Sequence, residues 1–201
     1  MSEKMSTATR DRLVVAVAEL MRTHGYSAIT VKQITAAAQA PMGSLYHHFP
    51  HGKVQIAAEA LRSSGAAYIQ LLPLLMDPHP DLRIAVPAAF DDAARTMAES
   101  GWINMCPVGT VAGEIADSEP ELRAVAAEVV ADWIDQGTAY FVRRGLDTAD
   151  ARDLVLGLLS SLEGAFVLAR TMRSAEPLHA AGRAVGARID ALLAARDHAA
   201  G

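Results

Sequence analysis

The stretch QAPMGSLYHHFPHGK, residues 39–53, decides the fold of the first quarter of this chain. Pro41 suits the first position of a helix, because its missing N–H would have no intrahelical partner there. Pro50 ends that helix after Phe49, since the residue before a proline disfavours helical backbone. The stretch therefore predicts a short helix over about residues 41–49.

A second short helix precedes it. Thr30 can accept hydrogen bonds from the unpaired N–H groups at the start of a helix over residues 31–38. Gln39 and Ala40 then form a tight turn. Two short helices joined by such a turn predict a helix-turn-helix.

The histidines of this stretch do not form a convincing metal or catalytic site. His47 and His48 are adjacent, so they point about 100° apart on a helix, and Pro50 separates them from His51. A zinc site needs three or four converging ligands, and no second cysteine or HxxxH pair lies nearby. We expect no metal, no cofactor and no catalytic residue.

Charge is distributed unevenly along the 201 residues. Residues 1–53 hold six Lys and Arg against three Asp and Glu, whereas the remainder holds twelve against twenty, within a formal net charge of −5. A basic N-terminal quarter is typical of a surface that binds a polyanion.

The remaining sequence has helical spacing and no sustained alternation, which predicts an all-α fold. Gly25 should end the first helix, a fourth helix should run from about Lys53 to Leu72 before Pro73, and Pro78, Pro80 and Pro87 should break the chain. The predicted helices cover about residues 7–24, 31–38, 41–49, 53–72, 85–99, 107–116, 119–144, 148–173 and 177–196. The predicted domains are residues 6–66 and 67–201.

The sequence also bears on location. Cys106 is the single cysteine, the N-terminus MSEKMSTATRDR is unlike a signal peptide, and no run of about 18 apolar residues was found. We therefore expect a cytoplasmic protein without a membrane partner.

Residues 10–60, above all ITVKQITAAAQAPMGSLYHHFPHGKVQIAAEAL, resemble the N-terminal domain of the TetR family of bacterial transcriptional regulators. GSLYHHFP followed by GK resembles the LmrA/YxaF-like branch, and CPVGTVAGE, residues 106–114, is a weaker match to its regulatory domain. The resemblance implies an N-terminal helix-turn-helix domain that binds double-stranded DNA and a C-terminal helical domain for ligand binding and dimerisation.

The resemblance also implies roles for single residues. Phosphate contacts are implied for Thr30 and Lys32, major-groove contacts for Met42, Gly43, Ser44 and His47, and backbone contacts for Tyr46 and Lys53. Two residues depart from the family pattern: Gln39 replaces a usual glycine, at a cost of about 1 kcal/mol in a left-handed position, and Met42 replaces a common lysine.

No Arg or Lys lies between residues 33 and 52, so this helix cannot read guanine in a bidentate manner. Specificity must then come from smaller contacts, from DNA shape, or from an N-terminal arm carrying Arg10 and Arg12.

An effector cavity is predicted in the C-terminal domain. Its candidate ligand-binding residues are apolar, aromatic or sulfur-containing: Met97, Trp102, Met105, Cys106, Trp133, Phe141 and Phe166. The alternative, that these residues simply form core, stays open. Cys106 has no supporting histidine that would make it a nucleophile.

The last two helices carry broad apolar faces that predict a homodimer through a four-helix bundle. The candidate interface residues are Leu158, Leu162, Phe166, Val185, Ile189 and Leu192. Packing within one chain is the alternative.

These patterns and the resemblance predict a ligand-responsive DNA-binding regulator, and the resemblance implies a repressor, released from its operator by a small apolar molecule. The alternative is an all-α carrier or enzyme that uses the C-terminal cavity without DNA.

Overall fold

The computed structural model describes residues 2–199, and the side chains of residues 7–196. The predicted C-terminal domain therefore extends two residues beyond the described part. The described residues form helices and no strand, which confirms the all-α prediction. The helices are α1 (Ser2–His24), α2 (Val31–Ala37), α3 (Met42–His48), α4 (Gly52–Ile69), α5 (Leu71–Met76), α6 (Leu82–Glu99), α7 (Pro107–Ile115), α8 (Pro120–Arg143), α9 (Thr148–Met172) and α10 (Glu176–Ala199).

The chain forms two compact units. Unit 1 comprises the residues up to Ala67 together with Met105–Val130, and unit 2 comprises Tyr68–Asn104 and the residues from Ala131 onward. The predicted boundary after residue 66 lies next to the first of these divisions. The prediction missed that α7 and the start of α8 belong with the N-terminal helices.

Unit 1 is built on a core that α1 shares with the short helices. Its largest fully buried side chains include Leu13, Met21, Ile34, Leu45, Phe49, Ile56 and Leu61. Gly25 ends α1 with φ at 77°, and its N–H donates to the Met21 carbonyl, as the sequence predicts.

The helix-turn-helix follows its sequence signals with one change. Thr30 caps α2 in a capping box: its hydroxyl accepts from the N–H of Gln33, and the Gln33 side chain accepts from the Thr30 N–H. Gln39 occupies the left-handed region at φ 51°. Pro41 is the residue before α3, with extended backbone, and is not the first helical residue as predicted.

Unit 2 packs α10 against α6 and α9. The close approach of α10 to α6 depends on Gly182, where an added Cβ would lie 2.7 Å from Cβ of Phe90. The predicted breaks at two prolines are wrong. Pro73 lies within α5, after α4 has ended at Ile69, and Pro87 lies within α6, where its ring packs beside Gly186 of α10.

A polar network joins the α5–α6 connection to the end of α8. The Tyr140 hydroxyl donates to Oδ1 of Asp77 over 2.7 Å, and Arg144 donates to the Tyr140 hydroxyl and to the carbonyls of His79 and Pro80. Burial and the hydrogen bond to Asp77 raise the pKa of Tyr140 to about 12, so it remains a donor at neutral pH.

Candidate nucleic-acid interface and ligand cavity

Helix α3 presents one face to solvent and anchors the other in the core of unit 1. Leu45 and, just beyond the helix, Phe49 are fully buried. Met42 is 50% exposed and Tyr46 is 49% exposed. Gly43 and His47 are exposed and Ser44 is half-buried, so the residues predicted to contact DNA lie on or beside the exposed face.

The residues flanking α3 differ in how free they are to reach a phosphate. Lys32 is exposed on α2. The Thr30 hydroxyl is exposed too, but it already accepts from Gln33 N–H over 3.3 Å and donates to Oε1 of Gln33 over 2.8 Å. The Thr30 hydroxyl is therefore already engaged in the helix cap, whereas the Lys32 ammonium is solvated.

Lys53 lies in the first turn of α4 with its ammonium held over an aromatic ring. The Nζ atom is 4.1 Å from the ring centroid of Tyr26, a cation–π distance. Burial lowers the pKa of Lys53, and the negative charges of Glu114 and Glu119 oppose that effect without cancelling it. The ring therefore holds the ammonium in one orientation.

Arg10 and Arg12 do not form an N-terminal arm, which was one of the three sources of specificity that the sequence left open. Both residues lie within α1. Arg10 pairs with Glu59 over 2.9 Å and lies over the Phe49 ring, and Nε of Arg12 donates to the Ala38 carbonyl over 3.1 Å. These contacts hold α1 against the rest of unit 1.

The two adjacent histidines have different surroundings. His47 is exposed, and its ring lies 5.0 Å from that of His48. His48 is half-buried beside Phe49. Burial, then the neighbouring His47 and Arg10, lower the pKa of His48. Within the described residues no group of three His, Cys, Asp or Glu could hold a metal ion.

Unit 2 contains a cavity of about 330 Å³. Its volume is that of a small-molecule site. The wall is contributed by the end of α4 and by α5, α6, α8 and α9, with one residue beyond α6, and it is mainly aliphatic and aromatic. The lining residues are Tyr68, Ile69, Leu71, Leu72, Leu75, Met76, Ala89, Phe90, Asp92, Ala93, Thr96, Asn104, Trp133, Gly137, Phe141, Val155, Leu158, Leu159, Leu162, Glu163 and Phe166.

Comparison with known proteins agrees with this geometry. Residues 13–60 match the bacterial regulatory proteins of the tetR family, and residues 84–184 match the C-terminal domain of LmrA/YxaF-like transcriptional regulators. An HTH-type transcriptional regulator of Mycobacterium tuberculosis is 30% identical over 174 residues, which are 84% of this chain and 88% of that protein.

This chain belongs to the TetR family of transcriptional regulators. The regulator YxaF of Bacillus subtilis is 29% identical over 170 residues, 85% of this chain and 89% of YxaF. A TetR regulatory protein from Rhodobacter sphaeroides has the same fold, with a TM-score of 0.76 at 24% identity over 89% of this chain and 97% of that one. The matched proteins are transcriptional regulators and not enzymes, so the enzyme alternative is set aside.

The cavity of this TetR-family regulator includes three of the seven residues predicted to bind ligand. Trp133, Phe141 and Phe166 lie on its wall. The other four lie outside it: Met97 is in the core of unit 2, Trp102 lies in the turn after α6 with φ at 70°, and Met105 and Cys106 are buried in unit 1. Cys106 instead caps α7, where its sulfur accepts from the N–H of Gly109 over 3.3 Å.

Helix α5 is a wall of the cavity that was not predicted from the sequence. Its residues LLPLLM contribute Leu71, Leu72, Leu75 and Met76 to the lining. The apolar residues on both sides of Pro73 could have indicated this helix, but the prediction placed a helix end at Pro73.

The predicted dimer residues of this regulator point into its own core. Five of them, Leu158, Phe166, Val185, Ile189 and Leu192, are buried within the single chain, and Leu162 lines the cavity. A side chain already enclosed by its own subunit has little surface left for a partner. Another face of α9 is exposed and carries apolar or small residues: Leu156, Gly157, Ser160, Gly164, Val167, Leu168 and Met172.

Helix α9 is also long and apolar enough to cross a membrane, the one such helix among the described residues. The sequence predicts no such segment, because Glu163 and the serines interrupt the apolar run of α9. A single helix of this kind is weak evidence for a membrane span, since helices that pack on both sides within a protein have the same composition.

Proposed function

We propose that this regulator is a homodimeric repressor that a small apolar molecule releases from operator DNA. The observation that carries the proposal is the placement of α4. Its first turn holds Lys53 beside the helix-turn-helix, and its last residues, Tyr68 and Ile69, line the cavity. One continuous helix thus joins the residues that would respond to a ligand to a residue that would bind DNA.

On DNA, α3 would lie in the major groove. The exposed Met42, Gly43 and His47, with Ser44 beside them, would face base edges, and Tyr46 would contact the backbone. Lys32 and Lys53 would bind phosphates on either side, and Thr30 would add a contact through its shared cap. Because these charges flank the groove, affinity depends on few phosphate contacts.

Two copies of the chain would pair through the exposed faces of α9 and α10. The α9 face combines Leu156, Val167, Leu168 and Met172 with Gly157 and Gly164, and α10 exposes a row of alanines at 180, 184, 187, 191 and 194. Small residues allow helices to approach closely, and a two-fold axis would bury each face against its own copy. These exposed residues replace the core residues as the proposed interface.

Release would be a shift between two populations. The recognition helices of a dimer must match half-sites about 34–36 Å apart on the DNA. A ligand that binds more tightly to a dimer with another spacing weakens DNA binding. The loss equals the difference in the ligand's binding free energy between the two conformations, roughly 1–3 kcal/mol for a typical allosteric coupling. Since operator DNA is the target, we infer that the protein acts in the cytoplasm.

The direct test is selection of a duplex from a random-sequence DNA library by the purified protein. We expect a palindromic site whose binding weakens as salt increases. A carrier that uses the cavity without DNA would bind apolar ligands yet select no sequence, and that result would overturn the proposal.

The cavity chemistry predicts which ligands bind. Its described lining includes Asp92 and Glu163 but no lysine, arginine or histidine. A buried carboxylate on the ligand would have no cationic partner there. Among aromatic molecules of one shape, we expect the neutral and ammonium forms to bind at least about tenfold more tightly than the carboxylate form, measured by calorimetry.

A cavity-filling variant checks that binding occurs in this cavity. Ala93 lines the cavity from α6, so Ala93→Phe should occupy part of its volume and weaken ligand binding by about tenfold or more. Ala98→Phe is the matched control, since Ala98 is exposed on the same helix and outside the lining. An equal loss of ligand affinity in both variants would show that the ligand does not bind in this cavity.

The histidines give a pH prediction. Imidazole side chains gain a positive charge between about pH 8 and pH 5. If His47 faces the DNA, operator binding should strengthen roughly severalfold as the pH falls through this range, and His47→Ala should remove that dependence. His48→Ala should retain it, because His48 is half-buried and its pKa is lowered, so it stays neutral over more of the range. Fluorescence anisotropy at constant ionic strength measures both variants.

A further inference from the structure

Helix α7 belongs to one domain by sequence and to another by packing. It lies within residues 84–184, which match the C-terminal regulatory domain of the family, yet its packing places it in unit 1 with the DNA-binding helices. It packs on α1. A segment of the regulatory domain is therefore built into the DNA-binding unit, and its polar contacts there lie outside the proposed DNA and ligand contacts.

The central contact is made by Glu114 near the end of α7. Oε2 of Glu114 accepts from the Tyr26 N–H and Oε1 from the Ser27 N–H, each over 2.7 Å. These are the two residues that follow Gly25, at the turn after α1. Hydrogen bonds to a charged acceptor are about twice as strong as neutral ones. Burial raises the pKa of Glu114, but the hydrogen bonds from Ser27 and Tyr26 outweigh it, so its pKa lies below the usual value.

Gly25 shows how closely the carboxylate fits the chain. A Cβ added at Gly25 would lie 2.7 Å from Oε2 of Glu114, and the backbone there has φ at 77°. The glycine thus satisfies two requirements, the left-handed turn that ends α1 and the space for the carboxylate.

The turn that Glu114 holds carries the ring beneath Lys53. The Tyr26 side chain is buried, and the Lys53 ammonium rests 4.1 Å from its ring centroid. Burial, followed by the charge and hydrogen bond of Glu119, raises the pKa of Tyr26 to about 12, so the ring stays an uncharged phenol. Contacts therefore run from Glu114 through the Tyr26 main chain and ring to the Lys53 ammonium.

We propose that Glu114 is a positioning residue for DNA binding: by fixing the main chain of Tyr26 and Ser27, it places the ring that orients Lys53 toward a phosphate. This inference rests on the proposed phosphate contact of Lys53. A movement of α7 would then alter the contact between Lys53 and the phosphate without moving α3.

Simple electrostatics makes the opposite prediction. Glu114 is a negative charge close to a residue that would bind DNA, so its removal alone should strengthen binding. Glu114→Asp separates the two effects, because aspartate keeps the charge and is one methylene too short to reach both N–H groups. We expect Glu114→Asp and Glu114→Gln both to weaken operator binding, by roughly tenfold, and to flatten the salt dependence by about two phosphate contacts per dimer.

The experiment is a double-mutant cycle on the duplex selected by the wild-type protein. In a Lys53→Met background, Glu114→Asp should cause no further loss, because the lysine that it orients is absent. Glu128→Gln is the matched control: it removes an acid of unit 1 that makes only an exposed ion pair with Arg62. Circular dichroism and thermal melting establish that each variant is folded, and Glu114→Gln replaces Glu114→Asp in the cycle if the latter is not.

The outcomes separate the inference from the proposed function. A wild-type protein that selects no DNA refutes the function itself. Wild-type selection combined with equal or tighter binding by both Glu114 variants refutes the positioning role. Losses that add fully to that of Lys53→Met also refute it, because they show that Glu114 acts by another route.

Discussion

Gly43→Asp should reduce operator binding at least about a hundredfold while leaving the protein folded. Gly43 lies in the first turn of α3, and a Cβ at this position meets nothing within 4 Å. The free protein therefore accommodates the new side chain. On DNA the carboxylate would face phosphates or base edges, and such like-charge contacts cost several kcal/mol at an interface.

The stability of Gly43→Asp should not decrease with its DNA affinity. Replacing a helical glycine removes backbone entropy from the unfolded chain, and an acid in the first turn of a helix interacts favourably with its dipole. The melting temperature of Gly43→Asp should therefore equal or exceed that of the wild type. Gly113→Asp is the matched control, since Gly113 is exposed on α7 with nothing within 4 Å of an added Cβ. Equal DNA affinity in the two variants would show that α3 does not enter the groove.

The region around α3 was predictable because its signals are local. The cap at Thr30, the left-handed residues at Gly25 and Gln39, and the inward Leu45 each depend on residues within four positions. Pro41 was misplaced by one position, since proline fits both the residue before a helix and its first residue. The family motif occupies the same stretch, so resemblance and local physics agree there.

The cavity was harder to predict because a void is not a property of any residue type. Met97 and Phe141 are both fully buried, yet only Phe141 lines the cavity. Hydrophobicity predicts that a side chain is buried, but the position of a cavity depends on how whole helices pack. The same limit applies to Glu114, whose partners lie 87 and 88 residues away along the chain.

The predicted dimer residues lie inside their own subunit for a related reason. Helix α9 is apolar on two sides, so periodicity identifies two stripes without telling which one faces the core of its own subunit. Leu154 and Leu158 are buried, whereas Leu156 and Leu168 are exposed. Only the packed chain distinguishes them, and it assigns to solvent the stripe that contains the glycines Gly157 and Gly164.

Leu168→Glu tests this exposed stripe and should have the second large effect. Leu168 is 53% exposed, so the folded subunit tolerates a charge there. In a two-fold dimer each copy would bring its glutamate into the same interface, where an unpaired buried charge costs several kcal/mol. We expect a monomer at micromolar concentration in analytical ultracentrifugation, and operator binding at least about a hundredfold weaker because one subunit contacts only one half-site.

Leu74→Glu is the control for Leu168→Glu. Leu74 is 68% exposed on α5 of the same unit and outside the cavity lining, so the substitution makes the same change of size and charge on another surface. This variant should remain a dimer and bind DNA like the wild type. If Leu168→Glu also remains dimeric, the subunits pair through another surface, and the spacing mechanism loses its basis because it requires the two recognition helices to be joined through α9 and α10. If Leu168→Glu is monomeric yet binds the full operator like the wild type, each half-site is bound independently and a ligand cannot act through their separation.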